Sequence, residues 1–275
     1  MSDKPIEAKT RPIALPEHRV LTITGPDALK FSQAQFMNDV SALADGDWQW
    51  SGWLSAKGRL IALFALLRLD AETLWLLLPD YPPAGLAEAL EKYVFRSKLK
   101  IELIEGLQVA GDFDAAAAAD KRLTGDAAHG IRLDGWPGGR HLLIGEKTDA
   151  ATDDETARWR EADLRAGLPR LDASQVERWT PQQLSLEHLA AYSVKKGCYP
   201  GQEIVARTHF LGQAKRGLRL LQLDQTAQPG AAIQRDGRSI GEVVAVAATL
   251  ALAVLPLDGV EGGLRINDRA ASVLT

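Results

Sequence analysis

Residues 196–203 read Lys-Gly-Cys-Tyr-Pro-Gly-Gln-Glu, and this stretch contains the one cysteine of the 275-residue chain. Two glycines with a proline between them indicate a tight, irregular loop in which the backbone can approach a ligand closely. We expect Cys198 to lie on this loop and to be reachable from solvent. Lys196 is a candidate for activating it, because a neighbouring cation favours the nucleophilic thiolate.

A basic stretch surrounds this loop. Residues 195–219 carry six lysines and arginines against a single glutamate, whereas the whole chain has a formal net charge of -4. The local positive charge favours anionic partners such as phosphate chains and polyglutamate tails, and a solvated linker face is the alternative interpretation. Because the chain has no overall excess of positive charge, we expect no stable nucleic-acid binding, and any such binding must come from a local patch.

Composition limits the class of protein. With 275 residues, of which 46% are apolar, the chain can bury at least one full core, and this excludes disorder as its main state. One cysteine cannot form an intramolecular disulfide or supply the thiolates of a zinc finger or an iron–sulfur cluster, so we predict no metal site. The first twelve residues have no apolar signal segment, and the longest uncharged apolar stretch, residues 243–257, falls short of a membrane span. We therefore expect a cytoplasmic protein with no membrane partner.

Strand and helix signals alternate in the first half of the chain. Residues 18–24 alternate and are β-branched, which predicts a strand, and the Gly-Pro-Asp that follows begins a helix ending near Asp39. Short turns separate further apolar runs, which we interpret as antiparallel strands. Strands with helices on one face indicate an α+β fold rather than a doubly wound sheet. The other predicted elements of this half are strands at 48–53, 60–69, 73–78 and 99–104 and a helix at 84–93.

The second half ends in an all-β unit. Residues 112–123 include five consecutive alanines and predict a helix, whereas residues 125–139 are rich in turn residues and indicate a loop or a boundary. A strand at 142–144 and a charged helix at 153–166 follow, and from residue 217 short apolar runs between glycine turns predict a small β-barrel. We therefore divide the chain into an α+β region at 1–125, a second α+β region bearing the cysteine at 126–216, and a barrel at 217–275.

The run from Lys196 to Glu203, followed by Arg207, resembles the K-G-C-[YF]-x-G-Q-E signature of the YgfZ-type folate-binding proteins, which are relatives of the glycine-cleavage T-protein. The resemblance implies a three-lobed ring with a ferredoxin-like lobe and a C-terminal barrel, and tetrahydrofolate or another folate derivative bound in its centre. It also implies a role in maintaining iron–sulfur proteins, among them the enzymes that methylthiolate tRNA. The other segments that carry the resemblance are residues 22–25, 57–59, 92–95, 166–172 and 181–182.

The resemblance assigns two aromatic positions to folate. Trp159 matches a tryptophan that the family uses against folate, and an indole offers a flat face for stacking on a pterin or benzoyl ring. Taken alone, a tryptophan in a charged helix is more often a core anchor. The second family tryptophan is replaced here by His18, whose imidazole can still stack or donate a hydrogen bond.

Several polar side chains are further candidates for binding folate. The Lys-Gly-Arg segment at 57–59 either clamps the folate glutamate tail or forms a charged hairpin turn. Gln202 and Glu203 either reach a pterin edge or bond the loop to itself, and Arg207 pairs with Glu203 if that segment is helical. The candidate folate-binding residues are thus Trp159, His18, Tyr199, Gln202, Glu203, Arg207, Lys57 and Arg59.

Two other functions compete with this one. A folate-dependent aminomethyltransferase needs an acid or a base beside the folate to move protons. Where the T-protein has a pair of aspartates after the segment that matches residues 57–61, this chain has Ala62 and Leu63, and neither can transfer a proton. A non-catalytic folate-binding scaffold is the third candidate. The sequence leaves turnover open, with transfer of sulfur, iron or a one-carbon unit through Cys198 as the catalytic alternative.

Overall fold

The computed structural model describes residues 11–113, 120–145, 147–212, 214–260 and 262–274. Within these residues the chain forms two five-stranded antiparallel sheets, a closed barrel and four α-helices. No described helix is both long and apolar enough to cross a membrane. The helices are α1 (Ala28–Gln35), α2 (Pro83–Glu91), α3 (Asp153–Arg165) and α4 (Gln202–Leu211). The strands are β1 (Ile13–Ala14), β2 (Arg19–Thr24), β3 (Asp47–Leu54), β4 (Leu60–Arg68), β5 (Thr73–Leu78), β6 (Lys100–Leu103), β7 (Val109–Asp112), β8 (Leu123–Asp126), β9 (Gly130–Trp136), β10 (Arg140–Ile144), β11 (Arg216–Leu223), β12 (Ala232–Arg235), β13 (Arg238–Ala247), β14 (Leu250–Pro256), β15 (Leu264–Ile266) and β16 (Arg269–Val273).

The first sheet has the strand order β3-β4-β5-β2-β6, and its two faces enter different cores. Side chains alternate along β5, so Leu74, Leu76 and Leu78 lie on one face and Trp75 and Leu77 on the other. The leucine face packs against α1 and α2. The strands predicted in this half, from alternation at 18–24 and from apolar runs between turns elsewhere, are confirmed.

Helix α1 ends earlier than the sequence predicted. Its last residue is Gln35, not a residue near Asp39. Phe36 leaves the helix in an extended conformation and forms an antiparallel bridge with Trp53 of β3. Pairing with the sheet therefore ends the helix and leaves its last carbonyls without intrahelical partners.

The second sheet, in the order β1-β7-β10-β9-β8, contains a clear difference from the sequence prediction. Residues 125–139, predicted as a loop or a boundary, belong largely to an antiparallel hairpin in which β8 pairs with β9. The glycines that suggested a loop take positive φ angles, such as 114° at Gly130, and permit the chain to reverse there. The alanine-rich helix predicted at 112–123 falls largely on residues 114–119, outside the described residues, and its last residue lies in β8.

Helix α3 connects the second sheet to the barrel. It begins with a capping box, in which Thr152 Oγ1 accepts from the backbone N–H of Glu155, and the Glu155 carboxylate accepts from the backbone N–H of Thr152. The ring of Trp159 lies against Gly111 of β7. Because α3 also contacts β13 and β14, it fixes the second sheet relative to the barrel.

The C-terminal strands form a closed barrel in the order β11-β14-β13-β12-β15-β16, with β16 pairing back onto β11. Closure leaves no unpaired edge. Leu221, Val243 and Leu255 fill the interior, whereas Val244 and Leu252 point outward into a core shared with the two sheets. The predicted α+β class with a C-terminal barrel is confirmed, and the residue numbers of the three regions stay predictions.

One apolar core joins the three lobes. Trp48 and Trp50 project from the same face of β3 and meet Trp136 of β9, with ring centroids 5.9 and 4.8 Å from that of Trp136. All three indoles are buried. The two sheets and the barrel are therefore held together by tight packing at the centre of the molecule.

We expect Gly111→Ala to destabilise the chain by about 1–3 kcal/mol. A methyl group at this position would lie 2.4 Å from two ring carbons of Trp159, and that ring is fully buried. The control is Gly85→Ala in α2, where the added carbon meets nothing within 4 Å and alanine is favoured by about 0.5–1 kcal/mol. Urea unfolding followed by tryptophan fluorescence measures both variants, and equal stability would contradict the packing described.

Candidate functional site

The cysteine loop, residues 195–201, places its sulfur at the surface. Cys198 is exposed, as the sequence predicted. The loop ends at Gly201, whose φ of 77° is a left-handed conformation that favours glycine. The side-chain amide of Gln202 donates to the carbonyl of Lys196 at 3.2 Å, so Gln202 bonds the loop to itself.

Lys196 anchors the cysteine loop to the end of α1. Its side chain is 5% exposed, and its ammonium donates to the backbone carbonyls of Gln33 and Phe36, at 2.5 Å each, and of Asn38, at 3.2 Å. Burial lowers the pKa of Lys196 to about 8, and the negative charge of Asp39 opposes this shift. The geometry gives Lys196 an anchoring role, and its activation of the thiolate stays a prediction.

Tyr199 supports the other side of the cysteine loop. Its ring is 6% exposed and lies 4.8 Å from the ammonium of Lys196, within the range of a cation–π interaction. The hydroxyl donates to the carbonyl of Ser193 at 3.2 Å. Burial raises the pKa of Tyr199 to about 12, so this hydroxyl keeps its proton at neutral pH. Tyr199 is thus a buried support with little surface to offer a ligand.

The hairpin turn before β4 packs directly against the start of α4. A Cβ atom on Gly201 would lie 2.7 Å from the Cα atom of Gly58, so only two glycines allow this approach. Lys57 is exposed on the turn. Arg59 is half-buried and donates to the carbonyl of Arg178 and to the side chain of Gln183. The contact brings this turn, for which a clamp on the folate tail and a plain charged turn were both open, next to the cysteine loop.

Helix α4 follows the cysteine loop and was not predicted as a helix. Only Val205 of its ten residues is buried, so it lacks the apolar stripe by which a helix is recognised in a sequence. Glu203 and Arg207 are both exposed on it. The helix places them one turn apart, yet no ion pair joins these two described residues. Both side chains therefore face solvent beside the loop.

His18 and Trp159, the two predicted stacking residues, lie in a second group of buried side chains. We call His18, Trp136, Arg140, Trp159 and Asp163 the arginine–aromatic cluster. The ring of His18 lies 6.1 Å from that of Trp136, and the guanidinium carbon of Arg140 lies 4.1 Å from the ring centroid of Trp159. Arg140 and Trp136 both donate to Asp163 Oδ1, at 2.6 and 3.3 Å.

The two stacking candidates are enclosed and keep unused hydrogen-bonding capacity. His18 is 1% exposed and Trp159 is 0% exposed. Both ring nitrogens of His18 and Nε1 of Trp159 bond to nothing in the described part of the chain. Burial, and after it the charges of Arg170 and Arg140, hold the pKa of His18 well below its usual range, so the ring is neutral. Buried nitrogens without partners are rare in native cores and call for an explanation. The assignment of His18 and Trp159 to folate stays a prediction.

Ion pairs fix the position of the arginine–aromatic cluster. Asp163 is shared, since its second oxygen accepts from Arg170 at 3.0 Å. Arg170 also donates to Asp80 at 2.8 Å. Burial raises the pKa of Asp80, and the charge of Arg170 opposes this shift. If any one of these charged side chains is removed, its partner is left buried without a counter-charge, so the position of each side chain depends on the others.

Asn38 connects the cysteine loop to the arginine–aromatic cluster, and sequence reasoning missed it. Its carbonyl accepts from Lys196, and its amide donates at 2.8 Å to the carbonyls of Trp50 and Ala190. The ring of Trp50 in turn contacts that of Trp136. The one available signal was its place just after a helix, where asparagine side chains commonly bond the backbone.

We expect Lys196→Met to lower the free energy of unfolding by about 1–3 kcal/mol at neutral pH, because three buried carbonyls lose their donor. Methionine retains most of the apolar stem. The control is Lys195→Met at the exposed neighbour, which should change stability by less than about 0.5 kcal/mol. Denaturant unfolding measures both, and a Lys196→Met chain as stable as the control would rule out the anchoring role.

Lys196 should also make stability depend on pH. Its pKa is about 8 in the folded chain and returns to 10.5 on unfolding, so the unfolded state binds more protons between these values. The free energy of unfolding then rises with pH across this window. We expect the advantage of the parent over Lys196→Met to increase from pH 8 to pH 10 by about 2–3 kcal/mol. Urea titrations at both pH values measure the difference, and an advantage that stays constant would contradict the lowered pKa.

Comparisons with known proteins agree with this architecture. The family described as CAF17, C-terminal beta-barrel domain, matches residues 215–275. The chain is 31% identical over 228 residues to an uncharacterized protein of Haemophilus influenzae, with 81% of this chain and 78% of that protein covered. It is also 31% identical over 228 residues to the tRNA-modifying protein YgfZ of Klebsiella pneumoniae, with 75% of this chain and 69% of that protein covered.

A solved structure extends the likeness to the whole fold. The glycine cleavage system aminomethyltransferase T from Bartonella henselae superposes with a TM-score of 0.71, covering 96% of this chain and 84% of that one. Sequence identity between the two is 18%, so this likeness concerns the fold alone. Because the YgfZ relative is 31% identical and 69% of it is covered, the chain belongs to the YgfZ family.

Proposed function

We propose that the chain is a cytoplasmic protein that binds a reduced folate and, through Cys198, supports the iron–sulfur enzymes that modify tRNA, including those that methylthiolate it. The observation that carries this proposal is an exposed thiol on a loop whose base is fixed by the buried ammonium of Lys196. The name of one relative, tRNA-modifying protein YgfZ, supports the same assignment.

The surroundings of Cys198 favour transient exchange with a partner. In the described ranges, no three His, Cys, Asp or Glu side chains are grouped so that they could hold a metal ion. An exposed thiolate offers one ligand or one nucleophile, and a partner protein would supply the other ligands of an iron atom or a cluster edge. Cys198 therefore suits a step in which sulfur, iron or a one-carbon group passes between two proteins.

The arginine–aromatic cluster fits a pterin in its chemistry. His18 and Trp159 offer aromatic faces, and their unpartnered nitrogens can bond the edge of a heteroaromatic ring. Because both side chains are enclosed, a folate that binds here must first separate them. Arg140 stays bonded to Asp163 and orients the indole beneath it. Bound tetrahydrofolate would supply one-carbon chemistry at its N5 and N10 atoms.

The remaining predicted folate ligands divide into two groups. Lys57, Glu203 and Arg207 are exposed and can reach a ligand or its glutamate tail. Tyr199 and Gln202 bond within the cysteine loop, and Arg59 is engaged by neighbouring acceptors. We therefore assign the second group to holding the loop and the turn in place.

Aminomethyl transfer is disfavoured because the two positions that match the aspartates of the T-protein carry no acid or base. Ala62 and Leu63 are buried side chains of β4 that carry no titratable group. Of the acids nearest in sequence, Asp70 accepts from the backbone N–H of Glu72 at a turn, and Asp80 is paired with Arg170. A non-catalytic scaffold remains the second candidate, and it differs from the proposal because it does not require the sulfur of Cys198.

The decisive variant is Cys198→Ser. We expect it to bind tetrahydrofolate within about twofold of the parent affinity, followed by intrinsic tryptophan fluorescence, because Cys198 does not belong to the arginine–aromatic cluster. In bacteria that lack their own YgfZ-family protein, the parent chain should restore methylthiolated tRNA nucleosides, whereas Cys198→Ser should lower them at least about tenfold, as loss of a nucleophile does.

Two matched variants control this experiment. Ser239→Ala changes another small exposed side chain, on the barrel, and should restore the nucleosides like the parent. Trp159→Phe should weaken folate binding at least about fivefold by reducing the stacking surface, whereas Trp179→Phe at another buried indole should not. If Cys198→Ser restored the methylthiolated nucleosides fully, the role of the thiol would be wrong and the non-catalytic folate-binding scaffold would be the remaining candidate. If the tryptophan fluorescence of the parent did not change on addition of folate, the assignment of folate as the ligand would be wrong.

A further inference from the structure

A basic cleft runs along α4 beside the barrel. Three adjoining cavities of about 420, 250 and 460 Å³ share Thr208 as a lining residue. They lie where the hairpin turn before β4, the outer side of α4 and the start of β11 meet. The residues that define the basic cleft are Arg59, Arg207, Thr208, His209, Lys215 and Arg216.

The positive charge of the basic cleft is not neutralised by the chain itself. None of Arg59, Arg207, Lys215 and Arg216 forms an ion pair in the part of the chain that the structure describes. Arg216 donates to the carbonyl of Ile240 at 2.8 Å, which is a neutral acceptor. The two cavities that Lys215 lines also hold Arg59, Arg207 and Arg216 and have no carboxylate among their described lining residues, so these two cavities attract anions strongly.

One carboxylate lies at the far end of the same cavities. Glu187 lines the cavity of about 420 Å³ but not the two cavities that Lys215 lines. The hydroxyl of Tyr192 donates to this carboxylate. Anions are therefore favoured along the α4 side of the basic cleft, where Lys215 and Arg207 are exposed.

Two exposed apolar side chains lie at the C-terminal end of α4, close in sequence to these cations. Phe210 is 66% exposed, and its ring contacts that of His209 edge to face at 4.9 Å. Leu211, the next residue, is 84% exposed. Phe210 does not line the three cavities, but it contacts His209, which lines one of them, and an exposed phenyl ring is a surface on which a nucleobase can stack.

We propose that the basic cleft binds single-stranded RNA, with backbone phosphates at Arg207, Lys215 and Arg216 and a base stacked on Phe210. Proteins that bind single strands combine these two features, a positively charged groove and aromatic platforms. A chain of glutamates would satisfy the cations but leave Phe210 in water, and a duplex has no unstacked base to offer. The basic cleft does not include Cys198 or the arginine–aromatic cluster, and it shares only Arg207 with the exposed residues that can reach a folate glutamate tail.

Binding of a fluorescein-labelled, single-stranded oligoribonucleotide of about a dozen nucleotides to the full chain tests the proposal. With three or four phosphate contacts, affinity should fall about 20- to 50-fold between about 50 and 200 mM salt. Lys215→Ala should reduce the slope of log affinity against log salt by about 0.7. Phe210→Ala should weaken binding at least about fivefold and leave the slope unchanged.

Matched controls separate the cleft from general surface effects. Arg238→Ala removes an exposed cation of the barrel, and Phe95→Ala removes a phenyl ring that is 84% exposed outside the cleft, so neither should change the affinity. The proposal is wrong if the parent does not bind at about 50 mM salt or if the controls lose as much affinity as the cleft variants. It is equally wrong if duplex RNA binds as tightly, or if a hexaglutamate peptide displaces the strand as well as unlabelled RNA does. None of these outcomes bears on Cys198 or on a pterin bound at the arginine–aromatic cluster.

Discussion

A single close-packed core shared by the three lobes holds the two sheets and the barrel in fixed positions relative to one another. Trp48 and Trp50 bring the first sheet to it, Trp136 brings the second, and outward-facing residues of β13 and β14 bring the barrel. Interiors of this density do not deform gradually, so a shift in one lobe must be met by its neighbours. The cysteine loop and the arginine–aromatic cluster are consequently parts of one frame, linked through Asn38 and Trp50.

The cysteine loop owes its shape to a buried cation whose hydrogen bonds go to backbone carbonyls. Removing an ammonium from water is costly, and the dipoles around Lys196 offset only part of that cost, which agrees with its lowered pKa. The close contact of Gly58 with Gly201 restrains the other end of the loop. Two residues beyond Lys196 the sulfur faces solvent. A fixed backbone that exposes the sulfur of Cys198 is the arrangement that the proposed exchange with a partner protein needs.

Much of the fold could be predicted from local patterns, whereas the contacts that build the site could not. Alternation of side chains predicted β2, apolar runs between short turns predicted β4 and β5, and glycine turns predicted the barrel. The same glycine signal failed at 125–139, because those glycines turn a hairpin instead of interrupting it. The exposure of Cys198 followed from its glycine and lysine neighbours, but Arg170 meets Asp80 across 90 residues of sequence. Lys196 meets α1 across an even longer separation, and spacing within a motif carries no information about such distant partners.

A chain with one sulfhydryl, placed at the surface, has a built-in attachment point. A maleimide dye or a nitroxide spin probe will react with the native protein at a single known atom, so distances from the cysteine loop can be mapped without engineering the sequence. The same property carries a liability during storage. Oxidation in air can couple two chains only through identical atoms, and the resulting symmetric dimer would hide both loops from whatever they meet in the cell.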